Sequence, residues 1–140
     1  MHIAFFGSFF FSIVLLGATF YFLLGGLPLL VLKHDTGLDA RFVRSFFSLN
    51  YRVLFFASLG AAVSYALWGR PYFAIGALAI AILAVMIRRS LIQLLQQLDI
   101  LIQENDEGAI QKFRRVHSTL LFINFGLLIV LLWSLTRLKL

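Results

Sequence analysis

The sequence predicts an all-α integral membrane protein. Four transmembrane helices form an antiparallel bundle, with a cytoplasmic helical hairpin extending the third and fourth helices. Three observations predict it. First, 61% of the 140 residues are hydrophobic and 13% are charged, and the mean hydropathy is +0.96. A soluble domain is roughly 45–50% apolar and about 25% charged. A water-soluble fold of this size has too little interior to hide that excess, which excludes a soluble enzyme or a disordered tail. Second, the apolar residues fall into four runs separated by basic and turn residues. Third, the runs do not alternate polar and apolar, as the strands of a membrane barrel do. The chain has no cysteine, so it has no disulfide, thiolate nucleophile or cysteine-ligated metal. The whole of residues 1–140 reads as one four-helix transmembrane domain.

The first span is placed at about residues 3–25. No charged residue occurs from Ile3 to Leu32, and about 20 apolar residues cross the hydrocarbon core. Gly25-Gly26-Leu27-Pro28 is expected to loosen or end the helix, since proline lacks the amide donor and glycine is conformationally free. The run is too long for a signal peptide and has no basic flank or small-x-small cleavage site, so it reads as a retained span. Phe5, Phe6, Phe9, Phe10 and Phe11 crowd this helix all round. Such a surface suits contact with lipid, a quinone, a pigment or another subunit.

The second span is placed at about 50–68, closed by Gly69-Arg70-Pro71. An upstream stripe of Phe42, Val43, Phe46, Phe47 and Leu49 allows an earlier start. The third span, about 72–89, ends at Arg88-Arg89, whose long stems snorkel to the interface. The short turn at Arg70-Pro71 makes these two helices a hairpin. Small residues line both: Ala57, Gly60, Ala61 and Ser64, then Ala74, Ala77, Ala81 and Ala84. Such seams let helix backbones approach closely, and here they are expected to pack the hairpin.

An amphipathic hairpin follows at about 90–116. Leu91, Leu94, Leu95, Leu98, Leu101 and Ile102 recur at helical spacing, with Gln93, Gln96, Gln97, Asp99 and Gln103 mostly off the stripe. Glu104-Asn105-Asp106-Glu107-Gly108 is expected to turn the chain, with Gly108 in a left-handed position. The leucines either pack the two arms together or form a docking surface for a partner or for lipid headgroups. The fourth span, about 117–136, ends at Arg137 and Lys139.

Four helices place nine of the twelve basic residues on the side of the two longer loops. The positive-inside rule then puts both loops in the cytoplasm and both termini outside, in a bacterial inner membrane. The basic residues sit at membrane edges, where they meet lipid headgroups, so nucleic acid is not an expected partner.

Polar residues at membrane depth are functional candidates. Asn50, Arg52 and Asn124 are the ones that stand out. Arg52 marks the cytoplasmic boundary or lines a cavity with Asn50. Asn124 needs an amide partner, most naturally on another helix. His117 lies seven residues before Asn124 and shares its helix face. These two are the candidates for catalysis. His34 and His117 could meet, but nothing in their spacing demands it. The packing candidates are Phe5, Phe9, Gly60, Ser64, Ala77, Ala81, Leu94 and Leu98. The pattern predicts no metal site and no cofactor.

The stretch Phe113-Arg114-Arg115-Val116-His117-Ser118-Thr119-Leu120-Leu121-Phe122-Ile123-Asn124 resembles the last helix of small four-span bacterial families. These are anthrone-oxygenase-like proteins and a copper-resistance-like transmembrane group. They carry an aromatic, a basic residue, a histidine and then an asparagine in the final span. The resemblance implies a four-helix bundle with a longer second connection, and it carries over only His117 and Asn124.

Two functions are expected ahead of others. One is an accessory or structural subunit of a larger membrane complex, such as an energy-transducing one, working through helix packing. The other is a small membrane oxidoreductase or oxygenase acting on a hydrophobic substrate with His117. A small transporter ranks below them, because no acidic residue lies in a span.

Overall fold

The structure is a computed structural model describing residues 2–29, 37–103 and 107–138. Four helices follow in order: α1 (His2–Leu29), α2 (Gly37–Leu67), α3 (Pro71–Gln103) and α4 (Glu107–Arg137). Each is long and apolar enough to cross a membrane. Lys33, His34, Glu104, Asn105, Asp106 and Lys139 lie outside the described residues, as do the side chains of Leu91, Asp99, Ile102 and Gln103.

The first helix does not break at residue 25; it continues through Gly25, Gly26 and Pro28 to Leu29. Pro28 stands in the last turn, where its missing N–H removes one hydrogen bond rather than interrupting a ladder. The two glycines are seats rather than hinges. A Cβ at Gly25 would lie 3.0 Å from the Phe46 ring, and one at Gly26 would strike the Leu121 side chain.

The α2–α3 turn has a definite chemistry. Gly69 takes φ 77°, a left-handed value that glycine adopts without a Cβ clash. The Arg70 amide donates to the Tyr65 carbonyl at 2.9 Å and the Gly69 amide to Ala66 at 3.1 Å. This is the Schellman cap. Pro71 then opens α3, where a missing donor costs nothing. Gly108, expected to turn the chain, is instead in the first helical turn of α4. There Glu107 faces the positive end of the helix dipole.

The helices close a ring in the order α1, α2, α3, α4 and back to α1, the α2–α3 interface being the most extensive. Facing residues give the directions. Gly7 meets Ser64 and Gly60 meets Phe11, while Phe22 meets Phe46 edge-on at 4.9 Å, so α1 and α2 are antiparallel. α2 and α4 therefore occupy a diagonal and run the same way. Gly60 and Ser64, expected to pack α3, receive α1 instead. A Cβ at Gly60 would come within 2.6 Å of the Phe11 ring.

The core is continuous from end to end. Val43 and Phe47 of α2 join Leu95 and Leu98 of α3 and Ala109 and Phe113 of α4 in it. Of the leucine stripe, Leu95 and Leu98 are thus used in packing and Leu94 is half-buried, whereas Leu101 is exposed. The amino-terminal part of α2 joins the two arms there.

Candidate functional site

The interior of the bundle carries buried polar side chains from the diagonal helices at two levels, the amide pair at one and His117 two turns away at the other. Asn50 and Tyr51 come from α2, and His117 and Asn124 from α4; all four are essentially fully buried. The helical period explains why. His117 and Asn124 are two turns apart on one face, and that face points at α2. Asn50 Nδ2 donates to Asn124 Oδ1 at 3.3 Å. The edge of Phe47 meets the His117 ring, with centroids 5.1 Å apart and planes at 81°. Phe113, Leu120 and Leu54, within four residues of the polar side chains along the same helices, are buried as well.

One amide bond does not exhaust these groups. Asn50 Oδ1, Asn124 Nδ2, Tyr51 OH and His117 Nε2 are buried atoms that make no hydrogen bond. His117 has further contacts of its own within the fold. A buried donor or acceptor left unsatisfied costs roughly 1–3 kcal/mol, so such an interior is a place where a small polar group would be welcome. The unbonded atoms include both donors and acceptors.

The two polar constellations, separate in the sequence, thus meet: Asn124 finds Asn50. Arg52 is exposed, so of its two readings the shared cavity with Asn50 does not hold. Tyr51 was not singled out by the sequence; a tyrosine near a span end reads as an interface anchor. His2 is exposed. Among the described residues no group of three or more His, Asp or Glu side chains converges.

The packing candidates have local tasks. Phe5 sits edge-on to Trp68 at 5.1 Å and stacks with Phe9 at 6.4 Å. Ala77 and Ala81 are buried. Further polar groups tie α1 and α2 down. Ser12 Oγ and Tyr65 OH share a hydrogen bond of 2.7 Å. Ser8, Thr19 and Ser58 donate to carbonyls four residues back.

No known protein family, curated protein or solved structure matches this chain significantly. The resemblance of residues 113–124 to small four-span families finds no support in these comparisons.

A second feature lies nearer the 68–70 turn. A cavity of about 540 Å³ is walled by all four helices. Its floor holds the Ser12–Tyr65 hydrogen bond, and its exposed liners, such as Gly76, Ala79, Val130 and Trp133, belong to α3 and α4. It therefore opens sideways between those two helices. At its rim the Arg137 guanidinium lies 5.3 Å from the Trp133 ring centroid.

Proposed function

We propose that this multi-pass membrane protein is an accessory or structural subunit of a larger membrane complex. The observation that carries the reading is the division of labour on α1. One edge is locked into the bundle by Gly7, Phe11, Ser12 and Phe22. The opposite edge presents Phe6, Phe10, Ile13, Phe20 and Tyr21 outward, Phe10 at 60% exposure and Tyr21 at 68%. Rigid aromatic side chains lose little entropy on contact and suit a neighbouring helix. The test is purification of the tagged chain in mild detergent. A co-purifying membrane protein is expected, and it should be lost from a Phe6→Ala/Phe10→Ala variant. A lone monomer, or a partner indifferent to that variant, overturns the reading.

A second reading, a small membrane oxidoreductase or oxygenase using His117, is favoured by the unbonded amide atoms of Asn50 and of Asn124, the latter buried on the same helix face two turns away. It predicts that His117→Ala abolishes a turnover that Asn124→Ala only slows. Full activity in His117→Ala removes it.

The bacterial inner membrane, with both termini outside, is the placement we infer from the basic residues of the loop side. Green fluorescent protein fused at Leu140 should remain dark. A fluorescent fusion reverses the orientation.

A further inference from the structure

We propose that the cleft between α3 and α4 holds one acyl chain of an anionic membrane phospholipid, with the headgroup on Arg137. Three observations of the cavity converge. The cavity, about 540 Å³, falls in the range of ligand pockets, roughly 300–1,000 Å³. Its walls are overwhelmingly apolar side chains such as Leu15, Ile80 and Leu131. It opens between two helices that are both candidate membrane spans, so its mouth faces hydrocarbon and its ligand arrives from the bilayer.

The volume also discriminates between occupants. A packed helix is about 10–12 Å across and rises about 5.4 Å per turn, so little more than a single turn would fill this space. A flexible hydrocarbon chain fits without that limit.

Charge selects the headgroup. Arg137 is exposed at the rim and held over Trp133. A planar guanidinium matches phosphate oxygens in a bidentate way, and tryptophan anchors at the headgroup level. The first turn of α3 opens on the same mouth through Tyr72 and Phe73, adding its partial positive charge. No acidic residue occurs anywhere from Gly108 to Leu140, nor from Ala40 to Leu98. No acidic side chain of those stretches competes for the anion, and at the C-terminal end of α4 the Arg137 charge outweighs the partial negative charge of the helix end.

The proposal does not rest on the subunit reading. It is tested on the full chain, purified in mild detergent and titrated with phosphatidylglycerol or phosphatidylcholine, bound lipid being counted by native mass spectrometry. One phosphatidylglycerol per chain is expected, retained about fivefold more tightly than phosphatidylcholine, the worth of one basic residue near an anionic surface. Arg137→Gln should erase the preference and keep the binding of a chain. Gly76→Phe should reduce both lipids, because a Cβ at Gly76 has open space ahead of it and a ring there fills the cleft. Ala79→Phe, on an exposed position of the same wall, serves if the first variant fails to fold. Equal retention of the two lipids by the native chain overturns the proposal. So does undiminished phosphatidylglycerol in the filled variants, or loss of a second copy or another protein in them while lipid binding is unchanged.

Discussion

Asn50 and Asn124 join their side-chain amides in a hydrogen bond that crosses the bundle axis. Replacing Asn124 by leucine leaves the Asn50 amide buried without that bond, at a cost of about 1–3 kcal/mol. Replacing both should cost less than the two single changes added together. Unfolding in mixed micelles over the full double-mutant cycle measures the difference. A coupling of about 0.6 kcal/mol, and at most about 1.7, is expected from pairs of this kind in membranes; strict additivity would mean that the bond does not form. How far these polar groups were legible follows from the residues themselves. His117 and Asn124 stood out because their spacing puts two polar groups on one face of an apolar helix. Asn50 stood out as an amide at depth. That Asn50 answers Asn124 depends on the relative register of α2 and α4, which no local pattern encodes. Tyr51 was missed because the same side chain, a few residues nearer the interface, would be ordinary.

At the level of single helices, glycine sets how closely α1 approaches its neighbours. A Cβ at Gly7 would lie 2.8 Å from Ser64 Oγ, whereas one at Gly126 would meet nothing. Gly60→Val should therefore lower the unfolding midpoint clearly, in line with overpacking costs of about 1–3 kcal/mol. Gly126→Ala should leave it unchanged or raise it slightly, since alanine favours the helix. An equal response of the two positions, read by thermal unfolding in detergent, would contradict the packing. Helix length gives another expectation. α3 has 33 residues, about 50 Å at 1.5 Å per residue, against a hydrocarbon core of about 30 Å. In inside-out vesicles, which expose the cytoplasmic face, cysteines placed at Gln93, Gln96 or Gln97 should react with a membrane-impermeant maleimide, and cysteines at Ile75 or Leu78 should not. The span count was readable from the four apolar runs. The uninterrupted α1 was not, because Gly25 and Gly26 look like a break until Phe46 and Leu121 are seen packed over them. The role of Gly60 and Ser64 was half readable: their small size announced a close approach, but not that α1 is the helix approaching.

The whole molecule is a ring of four helices with its polar bond on the diagonal between the second and the last. α2 is the least apolar of the four spans and the most buried. These two facts give the chain a schedule. A ribosome delivers α2 well before α4 exists, so Asn50 enters the membrane before Asn124 can meet it. α1 and α3 can clasp α2 through their small-residue seams, but the amide must wait. Residues 1–103, ending before α4, should therefore be inserted and then rapidly degraded, whereas the full chain persists. Pulse-chase labelling distinguishes the two, and an equally long-lived truncation would remove the dependence. Co-expression of residues 104–140 as a separate piece should restore part of the lifetime. The diagonal amide bond forms only once α4 has been made, so the truncation reads whether a chain lacking it is handled as incomplete.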